Sequence, residues 1–220
     1  MPPTHVNEVE KLAQMVLRRQ DGQRQLIAIC GAPGSGKSTL VEVLNNTINA
    51  HAEGSCAIVP MDGFHFDDAV LRERDLLHRK GAPETFDIDG LIHLHRRLSD
   101  NQDQSVAVPL FDRDNELSRA AARIIPRSVQ TVLIEGNYLL LDQPGWLQLA
   151  PFYTLTIQLD VPLHELKRRL MERWDEQGLS FQEAQTKVQG NDMPNAKLVL
   201  AQSRAPDIVY AAHNTLTDTR

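Results

Sequence analysis

The sequence predicts an α/β fold: a parallel β-sheet with helices on both faces. Two observations carry this. Short apolar runs alternate along the chain with segments whose apolar residues recur at helical spacing, the signature of strand–helix–strand units. The runs are apolar nearly throughout instead of alternating with polar residues, as strands covered on both faces require. In open sheets of this kind ligands sit beyond the carboxyl ends of the strands, so the residues just after each apolar run are where chemistry is to be sought.

The elements follow in order. Residues 6–19 carry Val6, Val9, Leu12, Ala13, Val16 and Leu17 at helical spacing, and Asp21-Gly22 breaks that helix. QLIAIC (Gln25–Cys30) is a buried strand, 31–36 a loop, and Lys37–Ala50 a helix with Leu40, Val41, Leu44 and Ile48 on one face. CAIVPM (Cys56–Met61) is a second strand. Residues 68–78 and 89–99 read as helices, with Asp87 and Asp89 as candidate caps for the latter. Val106–Val108 is a short strand; VQTVLI (Val129–Ile134) and Leu155–Leu159 are longer ones. Pro162 opens a helix that runs to about Gln177 and stops at Gly178. Another helix starts after Ser180, and Asp207–Ala211 is the last strand.

Composition closes several doors. At 220 residues, 41% apolar and 24% charged, the chain suits one domain spanning 1–220 that needs neither disulfide nor metal for stability. Its two cysteines, Cys30 and Cys56, lie in apolar runs and read as buried small hydrophobes. With 23 Lys and Arg against 29 Asp and Glu the net charge is −6, which argues against general nucleic-acid binding but not against a local basic pocket. No run of 18 apolar residues offers a membrane span. The N-terminus has early acids and no apolar h-region, so it does not read as a signal peptide, and the expected location is cytoplasmic.

The first strand is followed by Gly31-Ala32-Pro33-Gly34-Ser35-Gly36-Lys37-Ser38-Thr39 and then a helix. This is G-x-x-x-x-G-K-[ST] in the strand–loop–helix context that the motif needs. The glycines let the backbone wind around an anion with its N–H groups inward, and the helix adds its positive end. Lys37 is placed to reach the β- and γ-phosphates and Ser38 to offer its hydroxyl to Mg²⁺. The bare pattern arises by chance in about 1% of chains this long, before the flanking elements are counted.

A phosphate loop alone does not say which chemistry follows. The N-K-x-D of GTPases and the L-S-G-G-Q of transporter ATPases are absent, and the D-x-x-G at Asp142–Gly145 lies beyond its strand without a partner motif. Two strand ends carry acids: Asp62 in PMDGFHF and Glu135 in EGNY. A carboxylate directly after a strand is suited to hold Mg²⁺ or to accept a proton from an attacking hydroxyl, and two on one sheet edge allow both.

With these pieces in view, the chain resembles the uridine kinase, pantothenate kinase and phosphoribulokinase group of P-loop kinases, and most of all short bacterial nucleoside/nucleotide kinase-like proteins of the fructose transport system kinase type. GAPGSGKS, PMDGFHFDD, RKGAPETFD, VPLFDR and VLIEGNYLL occur in the group's order over about 25–140. The resemblance implies a P-loop NTPase core of five parallel strands with a helical lid, ATP and Mg²⁺ as cofactors, Asp62 as general base and Glu135 near Mg²⁺. The chain is much shorter than bacterial pantothenate kinases and does not reproduce the uridine-kinase acceptor loop, so chemistry carries over further than substrate. A lid of this group closes over the phosphates with arginines, which points to Arg169 and Arg173, four apart on one face of the helix after Pro162, and to a lid at about 165–195. Asp62, His65, Arg113, Glu135, Asn137 and Tyr138 are the candidate substrate contacts. His93 and His95, two apart on a helix, do not face one another and do not make a zinc site.

The expectation is an ATP-dependent kinase acting on a hydroxyl of a small molecule such as a sugar, a nucleoside or a pantothenate-like compound. No nucleic acid or membrane is an expected partner; a homodimer stays open. A regulatory nucleotide switch with slow hydrolysis is the alternative, and acceptor-dependent ADP release separates the two.

Overall fold

A computed structural model describes residues 2–18 and 22–211. In chain order the elements are β1 (Thr4–Val6), α1 (Val9–Leu17), β2 (Gln25–Cys30), α2 (Lys37–His51), β3 (Cys56–Pro60), α3 (Asp68–Glu73), α4 (Ile88–Asp100), β4 (Ser105–Asp112) and β5 (Leu117–Pro126). They continue with β6 (Thr131–Gly136), α5 (Pro144–Leu147), β7 (Leu155–Asp160), α6 (Leu163–Glu176), α7 (Phe181–Lys187), α8 (Met193–Gln202) and β8 (Ile208–Ala211).

The main sheet has the order β1-β8-β7-β2-β6-β3 with every neighbouring pair parallel. It has six strands where five were expected. The sixth is β1, three residues at the edge, tied to β8 through Thr4 N–H donating to the Asp207 carbonyl at 2.9 Å. Val6 continues the helical spacing of α1, so a strand this short leaves no periodic trace of its own. Arg19 and Asp21, at the expected end of that helix, lie outside the described residues.

Strand β2 shows why both faces are apolar. Leu26, Ala28 and Cys30 join one buried layer with α4, the β4–β5 hairpin and Trp146; Ile27 and Ile29 join the other with α1 and α2. Cys30 and Cys56 are both buried and unlinked.

The hairpin is the largest departure from the expected fold. Only 106–108 was foreseen as a strand, yet β4 runs eight residues and pairs antiparallel with a ten-residue β5 in a separate sheet. β4 anchors it through Val106 and Val108, whereas most of β5 is exposed and carries no apolar alternation. Pro109 sits where the register shifts, between Val108 and Leu110.

Smaller corrections are local. The second strand ends at Pro60 and Met61–Phe64 forms a 3₁₀ turn. The helix foreseen over 68–78 stops at Glu73, because Asp75 takes a left-handed conformation (φ 53°). Asp87 alone caps α4, accepting from Gly90 N–H at 2.9 Å, while Asp89 sits in the first turn. Ser180 and Glu183 form a reciprocal capping box on α7, and Gly178 (φ 81°) ends the segment begun by α6.

Candidate active site

Sequence and sheet order together set the site. β2 lies between β6 and β7, and β6 pairs with β3, so three strands end side by side with Cys30 opposite Gly136 and Pro60 opposite Glu135. The loop after β2 turns through Gly34 (φ 78°) and Gly36 (φ 90°), both left-handed, and enters α2 at Lys37. A Cβ on Gly31 would lie 2.7 Å from Ser35 Oγ, so the loop closes tightly only with glycine there.

Lys37 is only 7% exposed, and its Nζ donates to the Ala32 carbonyl at 3.1 Å. Burial lowers the lysine's pKa, and Glu135 beside it pulls it back up. Ser38 Oγ donates to Glu135 Oε1 at 3.2 Å. Burial raises the Glu135 pKa; Lys37 draws it down and the nearby Asp62 pushes it up again. Three polar groups, Lys37, Ser38 and Glu135, are thus held together beside an N–H-lined loop, and burial opposes the charge of both the lysine and the carboxyl while each partly offsets that for the other. A phosphate chain and a divalent cation fit that donor set: N–H groups and Lys37 for the anion, a hydroxyl and a carboxylate for Mg²⁺.

Asp62 sits in the 3₁₀ turn after β3, and Arg113 Nη2 donates to its Oδ2 at 2.7 Å. Arg113 lies in the turn between β4 and β5, so the unforeseen hairpin is what carries it over the strand ends. His65 Nδ1 lies 2.8 Å from the Asp62 carbonyl oxygen and must carry the proton there; this leaves Nε2 as an acceptor. Burial lowers the His65 pKa, so the ring is neutral at pH 7. Phe86 (4.0 Å between centroids) and Phe111 (4.8 Å) pack against it.

The far wall is the segment 79–85. Asn191 Nδ2 donates to the Lys80 carbonyl at 2.7 Å, and Arg79 Nη1 donates to Asn191 Oδ1 at 3.2 Å. Lys80 Nζ meets Asp68 at 2.7 Å and Glu116 at 3.2 Å. Tyr138, a candidate substrate contact, is fully buried, and its hydroxyl donates to the Gly81 carbonyl at 2.6 Å. It does not line the cleft; it props the segment from beneath.

The two candidate lid arginines separate. Arg173 lines the cleft. Arg169 does not: its Nε donates to Glu165 at 2.7 Å and its Nη1 to the Ser35 carbonyl at 3.4 Å, so it braces the outside of the phosphate loop. The cleft these walls enclose has a volume of about 690 Å³ and brings together Lys37, Ser38, Asp62, His65, Arg113 and Glu135. Pro33, Gly34, Gly36, Thr39 and Asn137 also line it, while Ala32 and Ser35 are turned into the protein. Lys80, Phe86, Phe111 and Asn191 line it too without having been foreseen; of these, Lys80 and Phe86 lay inside RKGAPETFD and Phe111 inside VPLFDR, so the motifs marked them without assigning a place.

The sequence profile of the Phosphoribulokinase / Uridine kinase family matches residues 26–215. The chain belongs to this family. It is accordingly an ATP-dependent kinase of small molecules, using Mg²⁺, and the donor set around Lys37, Ser38 and Glu135 fits that pair of cofactors. Among relatives, "Uncharacterized protein YggC" of Escherichia coli is 33% identical over 85% of this chain and 77% of its own. A Schizosaccharomyces pombe protein named "Putative uridine kinase" is 32% identical over 92% of this chain and 88% of its own. A solved structure from a Silicibacter species, described as a "putative fructose transport system kinase", superposes with a TM-score of 0.87 at 42% identity, covering 93% of this chain and all of that one. Among the described residues no helix is long and apolar enough to cross a membrane.

Proposed function

We propose that this family member transfers the γ-phosphoryl group of ATP to a hydroxyl of a small polyhydroxylated acceptor, a sugar or sugar-like compound, with Asp62 as the general base. The observation that carries the reading is the position of Asp62: at the strand end beside Glu135 and Lys37, facing a wall made of His65, Phe111, Lys80 and Arg113. A wall of aromatic faces interleaved with polar groups suits a ring that offers both C–H faces and hydroxyls. The name of the 42%-identical Silicibacter protein points the same way.

Bound in the loop 31–38, Mg·ATP supplies the phosphoryl group. Asp62 accepts the acceptor's hydroxyl proton, which requires Arg113 to yield its hold on Oδ2 or Oδ1 to take the proton. Neutral His65 accepts a hydrogen bond from a second acceptor hydroxyl at Nε2. Lys37 and Arg173 offset the charge on the transferring group, and Ser38 and Glu135 are the residues that would hold the metal. Residues 165–195 act as a lid, excluding water when they close. Such an enzyme works in the cytoplasm, where ATP is available.

The test is ADP release by the full chain with a panel of sugars, nucleosides and pantothenate. Stimulation by a sugar or sugar derivative supports the reading. Stimulation by a nucleoside or pantothenate alone overturns the acceptor class while keeping the chemistry. Slow release indifferent to every acceptor, and raised by a partner protein, favours a regulatory switch.

A further inference from the structure

Helix α6 carries three arginines, Arg168, Arg169 and Arg173, and they are satisfied very differently. Arg168 bonds to Glu165 and Glu172, and Arg169 Nε bonds to Glu165 at 2.7 Å, all on their own helix. Arg173 has no such carboxylate. Its Nε is buried without a partner, and its guanidinium carbon lies 5.1 Å from the centroid of the Trp174 ring. The acid facing it is Asp192, with Oδ1 at 3.9 Å from Nη2, an ion pair beyond hydrogen-bond length.

Asp192 is itself unusual. It is a 9%-exposed carboxylate at the end of a π-turn, Val188–Asp192, that joins α7 to α8. Its Oδ2 accepts the Trp174 indole N–H at 2.7 Å, which leaves Oδ1 turned to Arg173. Lys187 Nζ lies 4.6 Å from the same indole ring. The residue before Asp192 in the turn, Asn191, grips the Lys80 carbonyl, so the turn is anchored to the opposite wall of the cleft. π-turns of this kind recur at functional sites, and this one places Asn191 and Asp192 on the cleft together.

We propose that Asp192 is a positioning residue: pinned by the Trp174 indole, it holds the Arg173 guanidinium over the cleft so that the arginine is aimed at the phosphate loop before the nucleotide binds. The inference rests on the reading of Arg173 as a contact of the transferring phosphoryl group. A free arginine side chain samples many rotamers, and catching it on binding costs entropy that an ion pair formed beforehand has already removed. The 3.9 Å contact sets direction without consuming a hydrogen-bond donor, and the side chain as a whole is 42% exposed, so the exposed end of the fork stays available to a phosphate oxygen while the buried Nε does not reach it. A saturated arginine such as Arg168 is not available in this way. Arg173 also lies close enough to the loop that its charge lowers the Lys37 pKa.

The experiment needs no acceptor. The affinities of the full chain for Mg·ADP and for the Mg complex of β,γ-imido-ATP are measured by calorimetry, and the ratio of the second affinity to the first reports how strongly the γ-phosphoryl group is read. Arg173→Gln should lower that ratio about tenfold, the size of one charge-assisted contact. Asp192→Asn should lower it by roughly three- to tenfold in the wild-type background and leave it unchanged in the Arg173→Gln background, since it acts through the arginine. Trp174→Phe keeps a ring beneath the guanidinium but removes the N–H that orients Asp192; it should lower the ratio about two- to threefold, and it decides the matter if Asp192→Asn does not fold. Equal losses from Asp192→Asn in both backgrounds, or no loss in the wild-type background, overturn the proposal and leave the kinase reading intact. A ratio unmoved by Arg173→Gln removes Arg173 from the phosphate site and takes the proposal with it, and Asp62 and the acceptor wall are unaffected.

Discussion

The two walls of the cleft are held by different forces. The wall that carries Lys37, Ser38 and Glu135 grows directly from β2 and β6, whose residues are buried in two apolar layers above and below the sheet. The facing wall, 79–85 with the π-turn and the tip of the hairpin, adds to the hairpin's apolar anchor at Val106 and Val108 a set of hydrogen bonds and ion pairs: Asn191 to Lys80, Arg79 to Asn191, Lys80 to Asp68 and Glu116, Tyr138 to Gly81. Apolar burial is worth about 25 cal/mol per Å² and does not depend on angle, so it fixes the phosphate side firmly. Individual polar contacts net about 1 kcal/mol and are exchangeable, which suits the wall proposed above to meet the acceptor.

The two walls meet at Asp62, which stands at the strand end and is gripped by Arg113 from the hairpin. Asp62→Asn keeps size and removes the charge proposed to accept the proton; acceptor-dependent ADP release should fall by ~10²–10⁴-fold while ATP affinity shifts little. If raising Mg²⁺ restores the rate, Asp62 holds metal and the base lies elsewhere. Next in size is a change in the sheet wall. Leu133 is fully buried in β6, and Leu133→Ala should cost about 2–5 kcal/mol in urea unfolding.

The sheet side also sets the response to acid. His95 on α4 is fully buried, with Nδ1 donating to the Leu91 carbonyl at 2.8 Å and Nε2 accepting from the Tyr153 hydroxyl at 3.0 Å. Burial depresses its pKa to about 4, so the folded protein keeps the ring neutral while the unfolded chain protonates near the ordinary value. Its stabilising share is intact above about pH 6.5 and is lost as pH falls toward 4, on the order of 3 kcal/mol at the acid end. Chemical unfolding at a series of pH values should show that limb, and His95→Asn should flatten it. The smallest expected effect lies in the polar wall: Asn191→Ala should cost about 1 kcal/mol of stability and raise the acceptor KM several-fold with ATP affinity unchanged. A loss as large as that of Leu133→Ala would show that the polar wall is structural after all.

Much of the sheet wall was legible from local signals. β2, α2, β6, β7 and β8 are continuous apolar or amphipathic runs, and the glycines, Lys37 and Ser38 stand in a fixed spacing between β2 and α2. The hairpin's second strand was not legible, because its exposed face carries Ser118–Arg123 with no alternation to read. Tyr138 was misplaced for a related reason: following Glu135 in sequence says nothing about which way a side chain turns, and packing against Phe86 and Trp146 takes it away from the cleft. Likewise Arg169 and Arg173 share a helix face, but only the former has Glu165 one turn before it.

The α/β class, the phosphate loop and the family are all legible in the chain read as a string of residues. These rest on properties a short window contains: glycine at left-handed positions, periodicity of apolar residues, the order of motifs. Which arginine reaches the cleft, that Arg113 sits on Asp62, and that Asn191 joins the last helices to Lys80 across 111 residues of chain emerge from the folded molecule alone. Those contacts join surfaces whose relative placement is the product of all the packing between them, and no local pattern encodes that sum.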